Sequence, residues 1–411
     1  MIEIVTIGDE LTSGCTVDTN SAFIAQSLYA MGFIVSQITT VGDGVGDIAR
    51  VLQSPQEGTR FVVCTGGLGP TEDDRTAQAA AATFGRNIAL DQEALDALIN
   101  KYRKFNRRVS SVSKKQAMLP EGSQVIENPV GTACGFLIKE GQRSFIFFPG
   151  VPEEVRAMTR SFLVPHIKKT LGSGQIMRNR TLKVFGIVES AIQERLKDAL
   201  PESPTVSLAY YPHYPEIQLK LNGRGQDAGS VEHEMDIFRD IIYEKIGEFI
   251  YADTDVALEE VVGSLLRERR ETLAVAESCT GGLISHRITN ISGSSHYLER
   301  SVVVYSNQAK AQLLKVPENV LEEYGAVSRP VADYMAAGIR QHAQTTYGLA
   351  VTGIAGPTGG TSAKPVGTVF VGIASAQKTT VAEFHFPGNR DKIKLISSQM
   401  ALNLLRKRIL E

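Results

Sequence analysis

The sequence of 411 residues predicts an α/β protein with two large α/β domains and a small α+β connector between them. Short apolar segments with strand character alternate with segments whose apolar residues recur at helical spacing, which is typical of βαβ units. The chain is also longer than the roughly 250–300 residues that one hydrophobic core usually organises. We therefore predict a first domain at residues 1–170, a connector at 171–252 and a last domain at 253–411.

The first domain is predicted to contain a largely parallel sheet. We expect a helix at residues 19–31 and strands at residues 2–7, 33–40, 60–64 and 145–148. Ligands of such sheets bind beyond the carboxyl ends of the strands. The acidic segment 8–10 and the glycine-rich segment 66–74 each follow a strand, so both are expected at one ligand-binding edge.

The connector and the last domain are predicted from the same periodicities. In the connector we expect a linker at 171–174, a helix at 190–200 and strands at 181–188 and 216–221. In the last domain we expect helices at 256–269, 283–289 and 391–410, and strands at 273–276, 302–305, 348–351 and 366–373. The aromatic residues of segment 210–214 lie among prolines, which favours a structured loop or a dimer contact, with stacking on a substrate as the alternative.

Composition and charge narrow the classes of function. The net charge of -2 provides no basic field to hold nucleic acid, and the basic run at 101–108 is more typical of a solvated helix face. No apolar run of about 18 residues or more is present, and the N-terminal segment lacks the pattern of a signal peptide. The four cysteines form no C-x-x-C pair. We therefore expect a cytoplasmic protein that binds neither nucleic acid nor a membrane.

Ser278 is the first candidate nucleophile. It follows a predicted strand and precedes Thr280, Gly281 and Gly282, which lead into a predicted helix. Backbone N–H groups at a helix start favour an oxyanion or a phosphate, and the glycines allow a ligand to approach the backbone closely. Ordinary helix capping produces the same pattern, so the segment alone supports both interpretations.

A serine nucleophile needs a base, and the next strand–helix junction offers one. Lys310 and Tyr305 are expected to face the same cleft as Ser278, and a lysine whose pKa is lowered by burial can accept the serine proton. A lysine on a helix is more commonly solvated, so this role depends on its surroundings. The alternative nucleophile is Cys279, for which the nearest histidine, His286, lies well along the following helix.

Two more segments of the last domain are expected to hold a polar ligand. Thr352 and Gly353 begin a glycine-rich loop after a strand, and its hydroxyl and glycines suit a loop that wraps a ligand. Arg390 precedes the terminal helix and can bind a phosphate in a bidentate manner, although a surface role is commoner for a single arginine.

The first domain carries a second candidate site. Its glycines offer backbone amides to a phosphate: Gly66, Gly67 and Gly69. Asp73 and Asp74 are predicted in the first turn of the following helix, where one caps the helix and the other faces the cleft. Asp9 and Asp43 also follow strands, and acidic strand ends beside a phosphate cradle suggest ligands for a divalent cation that bridges a pyrophosphate.

Six segments of the last domain carry a resemblance to a known family: AESCTGG (276–282), YSNQAK (305–310), GAVS (325–328), TGIAGPTGG (352–360), KPVGTV (364–369) and PGNR (387–390). They resemble the C-terminal domain of the CinA family, which is similar to stand-alone nicotinamide mononucleotide deamidases. The resemblance implies hydrolysis of the carboxamide to nicotinic acid mononucleotide and ammonia, without a cofactor. It implies Ser278 as nucleophile, Lys310 as base and Tyr305 as an assisting phenol, with Thr352 and Arg390 at substrate-binding positions.

Six segments of the first domain also resemble that family: TIGDELTSG (6–14), DTN (18–20), VGD (41–43), TGGLGPTEDD (65–74), NPVGTACGF (128–136) and FPGVPEE (148–154). They resemble the three-layer MogA/MoaB-type molybdopterin-binding fold and, more closely, the N-terminal domain of CinA. The resemblance implies hydrolysis of ADP-ribose to AMP and ribose 5-phosphate with Mg, Mn or Co. Asp43 and Asp74 are the first catalytic candidates, Asn20 is a candidate substrate contact, and Asp9 and Asp73 are candidate metal ligands.

Alternatives to this bifunctional enzyme stay open at the level of sequence. The first domain is alternatively a non-catalytic module that binds a pterin or a nucleotide. The connector resembles the family's small KH-like module, and its near-neutral charge gives no reason to expect RNA binding. The whole chain is alternatively a competence or DNA-damage accessory protein. A homodimer is the expected assembly, both from the family and because most soluble oligomers are homodimers.

Overall fold

The computed structural model describes residues 1–104, 109–110, 112–172 and 176–411, and it divides into two compact units. The first unit comprises Met1–Arg178 and Gly223–Glu232, and the second comprises Asn179–Asn222 and His233–Glu411. Most of the connector therefore belongs to the same unit as the last domain. The basic run at 101–108 and the linker at 171–174 lie partly outside the described residues.

Strands and helices alternate along the first domain. Its strands are β1 (Ile2–Ile7), β2 (Val35–Val41), β3 (Phe61–Thr65), β4 (Ile88–Leu90), β5 (Met118–Pro120), β6 (Gln124–Ile126), β7 (Gly135–Glu140) and β8 (Arg143–Phe148). Its α-helices are α1 (Asp9–Thr12), α2 (Asn20–Tyr29), α3 (Val45–Gln53), α4 (Thr76–Thr83), α5 (Gln92–Lys104), α6 (Pro152–Met158) and α7 (Val164–Leu171). A 3-10 turn (Ser113–Ala117) and a π-helical segment (Thr159–Leu163) complete it.

The main sheet of this domain is mixed, with strand order β2-β1-β3-β8-β7-β6. β2, β1, β3 and β8 are parallel, whereas β7 runs antiparallel to both β8 and β6. The prediction of a largely parallel sheet is therefore confirmed for three of the five strand pairings, and only the two pairings made by β7 are antiparallel. A tight turn containing Gly141, whose φ is 58°, joins β7 to β8, and a turn this short joins only antiparallel strands.

Apolar side chains on the two faces of this sheet enter two separate cores. On β1, Ile2 and Ile4 pack with α2, α6 and α7, whereas Val5 and Ile7 pack with α3 and α4. The change of face follows from the period of two along a strand. Because helices cover both faces, the domain has the three-layer architecture that the sequence predicts.

The connector forms a four-stranded sheet with order β10-β11-β9-β12. Its elements are β9 (Ile176–Val184), α8 (Glu189–Leu196), β10 (Val206–His213), β11 (Glu216–Gly225), α9 (Ala228–Ile246), a 3-10 turn (Gly247–Phe249) and β12 (Ile250–Ala252). The interpretation of segment 210–214 as a loop is wrong, because Tyr210, Tyr211 and His213 lie on β10. Only Tyr214 and Pro215 remain in the turn, so the prolines mark the end of a strand.

The last domain is a five-stranded sheet with order β14-β13-β15-β16-β17. Its strands are β13 (Leu273–Glu277), β14 (Leu298–Val303), β15 (Tyr347–Gly353), β16 (Thr368–Ala374) and β17 (Thr379–His385), the last of which the sequence analysis missed. Its helices are α10 (Leu258–Arg269), α11 (Leu283–Thr289), α12 (Asn307–Leu314), α13 (Glu318–Tyr324), α14 (Arg329–Ala343) and α15 (Arg390–Leu410), with a 3-10 turn at Ser294–His296.

The topology of the last domain gathers three segments at one edge. β13 is parallel to β14 on one side and to β15 on the other. The carboxyl ends of these strands therefore meet, and they lead into Ser278, the turn before α12, and the loop after Gly353. One core packs α10, α11 and α15 against the sheet, and another packs α12 and α14 against its other face. No described helix has the length and apolar character needed to cross a membrane.

Candidate active sites

Ser278 and Lys310 form a buried pair in the last domain. Lys310 Nζ donates a hydrogen bond to Ser278 Oγ at 3.1 Å, and the two residues are 1% and 8% exposed, respectively. Ser278 follows β13 directly, and its N–H donates to Val351 O on β15 at 3.0 Å. Lys310 lies on α12, which follows the neighbouring strand β14. The two side chains are thus held by separate elements of one rigid sheet edge.

The surroundings of Lys310 favour the neutral amine. Burial lowers the pKa of Lys310 because the charged form loses its hydration. Lys310 Nζ also lies within hydrogen-bond distance of Val304 O, at 2.9 Å, and Tyr305 O, at 3.4 Å. Once Lys310 is neutral, its two N–H groups can serve these two carbonyls, and the Ser278 hydroxyl can then donate to its lone pair instead of accepting from Nζ. This arrangement suits a general base.

Glu277 is a residue of this site that the sequence analysis missed. It is fully buried, and its carboxylate accepts hydrogen bonds from the N–H groups of Gly282, Ile284 and Ser285 at 2.9–3.1 Å. These amides at the start of α11 were expected to face a ligand, and that expectation is wrong because Glu277 occupies them. Gly281 and Gly282 have φ values of 64° and 94°, a left-handed conformation that lets the chain turn back over this carboxylate. An acidic residue shortly before a helix start is the pattern that indicates such a cap.

Tyr305 contributes to the pair through its main chain. Its side chain is 63% exposed, and its hydroxyl accepts a hydrogen bond from Arg390 Nη2 at 3.2 Å. Arg390 Nη1 donates to Gly356 O at 2.8 Å. Arg390 therefore links the segment before α12 to the glycine-rich loop. Three of the predicted segments, 305–310, 352–360 and 387–390, meet at this residue.

Among the remaining predicted residues of this site, Thr280 and Thr352 are buried, and Gly353 is half-buried but closely packed. The Thr352 hydroxyl donates to Ala326 O at 2.8 Å. A Cβ on Gly353 would lie 2.9 Å from Thr368 O and 3.1 Å from Cys279 Sγ, so a glycine is required where the loop passes the nucleophile turn. The Thr280 hydroxyl is buried without a hydrogen-bond partner among the described residues.

The alternative nucleophile Cys279 is a buried, protonated thiol. Cys279 is 6% exposed, and burial raises the pKa of its thiol to about 12. The thiolate is the reactive form of cysteine, and it is scarcely populated at neutral pH with such a pKa. His286 lies on α11 and is hydrogen-bonded to Asn290 at 3.2 Å. These contacts favour Ser278 over Cys279.

A cavity of about 680 Å³ lies at the carboxyl edge of the parallel strands in the first domain. Most predicted residues of this site line it: Asp9, Asp43, Asp73, Asp74, Gly66, Gly67 and Gly69. Asn20 supports the cavity wall, since its side-chain amide donates to Gly150 O at 2.7 Å. Gln116 and Glu154 also line the cavity and were missed from sequence, because they come from segments that lie far from the glycine-rich motif.

Two reciprocal hydrogen bonds between Asp9 and Asp43 link the ends of β1 and β2. The Asp9 N–H donates to Asp43 Oδ2 at 2.9 Å, and the Asp43 N–H donates to Asp9 Oδ1 at 3.0 Å. Burial raises the pKa of Asp43, and the negative charges of Asp9, Glu10 and Asp73 raise it further. The cavity therefore concentrates negative charge at these strand ends.

Asp73 and Asp74 are predicted in the first turn of α4, and this prediction is wrong because both residues precede the helix. The helix begins at Thr76, and the Asp74 carboxylate accepts hydrogen bonds from Thr71 N at 2.8 Å and from the Thr71 hydroxyl at 2.5 Å. These two hydrogen bonds close the turn of the glycine-rich segment. Local side-chain bonds of this kind compete with helix formation, so the helix begins after Asp74. A Cβ on Gly69 would lie 2.5 Å from Asp74 Oδ2, so this turn requires a glycine.

Two carboxylates of the cavity could hold a divalent cation only together with a bound substrate. The described residues contain no group of three or more His, Cys, Asp or Glu side chains that could hold a metal ion. Mg²⁺ is usually bound by one or two carboxylates, several waters and substrate phosphates. Asp9 and Asp43 supply carboxylate oxygens of that kind, and a cation beside them would offset the neighbouring negative charges, which add to burial in raising the pKa of Asp43.

The folds and sites define a class of protein with two separate sites. One unit contains an acidic cavity large enough for a nucleotide, and the other contains a buried Ser–Lys pair. The chain matches the CinA C-terminal domain over residues 255–409, the probable molybdopterin binding domain over residues 3–169, and the damage-inducible protein CinA KH domain over residues 179–252. A CinA-like protein of Geobacter metallireducens is 42% identical over 407 residues, which cover 99% of this chain and 98% of that protein. The chain belongs to the CinA family.

Another relative and two solved structures are also similar to parts or all of the chain. A competence-damage inducible protein of Caldicellulosiruptor bescii is 39% identical over 409 residues, which cover 100% of this chain and 99% of that protein. The crystal structure of the competence/damage inducible protein CihA from Agrobacterium tumefaciens is 35% identical, covers 38% of this chain and 94% of its own, and has a TM-score of 0.37. The MoaB structure from Thermus is 20% identical, covers 41% of this chain and 92% of its own, and has a TM-score of 0.28. The family-model matches over residues 3–169 and 179–252 make the first domain MogA/MoaB-like and the connector KH-like.

Proposed function

We propose that the last domain hydrolyses the carboxamide of nicotinamide mononucleotide, with Ser278 as nucleophile and Lys310 as base. The observation that supports this most strongly is the 3.1 Å hydrogen bond between Lys310 Nζ and Ser278 Oγ in a buried setting that lowers the pKa of Lys310. The substrate follows from the resemblance of the six sequence segments to nicotinamide mononucleotide deamidases. Arg390, which joins two of those segments, supplies a cation for the phosphate.

The proposed reaction proceeds through an ester on Ser278. Ser278 Oγ attacks the carboxamide carbon while Lys310 accepts the hydroxyl proton. The C–N bond then breaks as Lys310 returns this proton to the leaving nitrogen, which departs as ammonia. A water molecule, deprotonated by Lys310, hydrolyses the ester, and the proton on Lys310 returns to Ser278. Nicotinic acid mononucleotide is released.

A substrate assay with a matched lysine pair tests this proposal. The wild type is expected to convert nicotinamide mononucleotide to nicotinic acid mononucleotide, measured by chromatography. Lys310→Met is expected to lose at least about 100-fold in kcat, because general-base catalysis contributes roughly 10²–10⁴-fold. Lys315→Met, at the exposed end of the same helix, serves as the control. Absence of product with the wild type, or full turnover by Lys310→Met, would refute the proposal.

We further propose that the first domain hydrolyses ADP-ribose to AMP and ribose 5-phosphate with Mg²⁺, Mn²⁺ or Co²⁺. The acidic cavity of about 680 Å³ at the strand ends supports this activity. Asp9 and Asp43 would hold the cation, which supplies charge neutralisation at the pyrophosphate. Gly66 and Gly67 bring their backbone close to the ligand edge, and Asp74 keeps the glycine turn closed.

Formation of AMP with each metal separates hydrolysis from binding alone. Asp43→Asn is expected to abolish AMP formation, since the amide cannot offer a charged ligand to the cation. Asp47→Asn is the control, because Asp47 lies exposed on α3 and pairs only with Arg50 among the described residues. Binding of ADP-ribose without AMP formation with any metal would favour a non-catalytic nucleotide-binding module.

A further inference from the structure

The hairpin of β10 and β11 in the connector contacts the start of the terminal helix α15. Tyr214, at the turn of this hairpin, donates a hydrogen bond from its hydroxyl to Lys392 O at 3.2 Å. Lys392 Nζ lies 5.6 Å from the centroid of the Tyr214 ring, a cation–π distance. The contact therefore joins the turn of the connector to the first turn of α15.

A second contact fixes the hairpin farther along the same helix. Glu216, the first residue of β11, accepts a hydrogen bond from Gln399 Nε2 at 3.3 Å. Glu216 is 13% exposed at its side chain and is itself held by Lys183 Nζ at 3.0 Å and by the Tyr251 hydroxyl. Lys392 and Gln399 are about two helical turns apart and so lie on one face of α15. The hairpin thus contacts one face of the helix at two points.

The first turn of α15 also carries Arg390. Its guanidinium donates to Tyr305 Oη at 3.2 Å and to Gly356 O at 2.8 Å. Arg390 is therefore bound on one side to the segments around the Ser278–Lys310 pair, while its helical turn is bound on the other side to Tyr214.

We propose that the connector hairpin positions Arg390 for substrate, and that Tyr214 is the positioning residue. The effect on substrate rests on the proposed deamidase function, whereas the ordering of the helix turn does not. Loss of the Tyr214 hydroxyl removes its hydrogen bond to Lys392 O and loosens the turn that carries Arg390. Proton transfer between Ser278 and Lys310 is unaffected, because both residues are held by the sheet edge and α12.

The test compares Tyr214→Phe with Tyr211→Phe in the full chain. Tyr211 is an exposed tyrosine of the same hairpin, and its ring lies 4.9 Å from Lys220 Nζ instead of against α15. Hydrogen exchange of the amides in segment 388–395 is expected to accelerate about 3- to 10-fold in Tyr214→Phe alone, the range for loss of one neutral hydrogen bond. The KM for nicotinamide mononucleotide is expected to rise by a similar factor, with kcat and its pH profile unchanged. Thermal unfolding of both variants checks that they are folded.

The outcomes distinguish this proposal from the proposed function. Equal exchange of segment 388–395 in both variants overturns the positioning role, whether or not the enzyme is a deamidase. Faster exchange with an unchanged KM, or a fall in kcat instead of a rise in KM, also overturns it. A wild type that releases no ammonia refutes the deamidase, and the exchange comparison then decides whether the hairpin orders α15.

Discussion

At the scale of single residues, the burial of Lys310 has two consequences. Removing the ammonium from water makes its charged form unfavourable, which lowers its pKa and prepares it to accept a proton. The same burial makes folding dependent on pH, because the unfolded chain exposes this lysine to water. The first consequence is tested by the pH dependence of the reaction rate, and the second by the pH dependence of unfolding.

The pH dependence of deamidation is expected to show an acid limb set by Lys310. The neutral amine is the active form, so kcat/KM falls as the pH drops below the pKa of Lys310. Because burial lowers that pKa, the limb is expected below the ordinary lysine pKa of about 10.4. An initial-rate profile of ammonia release checks this. A limb that persists unchanged in residual Lys310→Met activity would assign the titration to another group.

The stability of the wild type is expected to rise with pH relative to Lys310→Met. Between the folded and unfolded pKa values of Lys310, the unfolded chain binds a proton that the folded protein does not. The free energy of unfolding therefore increases with pH across this window, and the variant lacks this contribution. Urea unfolding of both proteins from about pH 7 to about pH 10 measures the difference. Parallel curves would show that Lys310 has an ordinary pKa in the folded protein.

The residues of the proposed deamidase site were largely predictable, whereas the residues that support them were not. Ser278 and Lys310 follow neighbouring parallel strands, and this topology brings their side chains together. The role of Glu277 escaped notice because its carboxylate binds amides on the far side of two left-handed glycines. Periodicity does not encode such a reversal of the chain. The phenol of Tyr305 likewise contacts Arg390 instead of the pair, which only the structure shows.

At the scale of elements, the cap formed by Glu277 holds the nucleophile turn on α11. One carboxylate satisfies three amides that would otherwise be unpaired at the helix start. Its negative charge also lies at the positive end of the helix dipole. The conformation of the turn that presents Ser278 therefore depends on a neighbouring side chain as well as on its own glycines.

Glu277→Gln is expected to lower both stability and turnover. Replacing a charged acceptor of three N–H groups should cost about 1.5–3 kcal/mol of unfolding free energy, the range for hydrogen bonds to charged groups. The kcat should fall while the pH at the acid limb stays in place, because Lys310 is unchanged. Glu318→Gln, in the exposed first turn of α13, is the matched control. Wild-type stability and kcat in Glu277→Gln would show that the cap is dispensable.

Periodicity predicted most elements but not how strands join. The strands β1, β3 and β13 were placed to within a residue or so, because each is short, apolar and followed by polar residues. The antiparallel β7–β8 hairpin was missed, since direction depends on the tight turn at Gly141 and not on apolar pattern. β10 was missed because its tyrosines and flanking prolines resemble loop composition.

At the scale of the whole molecule, the two proposed sites lie in different compact units. The acidic cavity is formed by residues of the first unit, and the Ser278–Lys310 pair by residues of the second. No residue that the structure describes is shared between the two sites. We therefore expect the two reactions to respond to substitution separately.

Paired variants measure this independence in one chain. Ser278→Ala is expected to lose ammonia release and to keep AMP formation from ADP-ribose, whereas Asp74→Ala is expected to do the reverse. Distant sites without shared partners normally contribute additively, so the double variant should lose both activities and show no further effect. Loss of both activities in either single variant would indicate coupled sites or a misfolded chain, which thermal unfolding distinguishes.

The most direct test of the Ser278–Lys310 assignment is the rate of ammonia release from nicotinamide mononucleotide by Ser278→Ala, with Cys279→Ala as the adjacent control. Ser278→Ala is expected to lose at least about 10³-fold in kcat, because the ester cannot form. Cys279→Ala is expected to stay within about threefold of the wild type, since its thiol is protonated with a pKa of about 12. Wild-type turnover by Ser278→Ala, or a large loss in Cys279→Ala alone, would contradict the assignment.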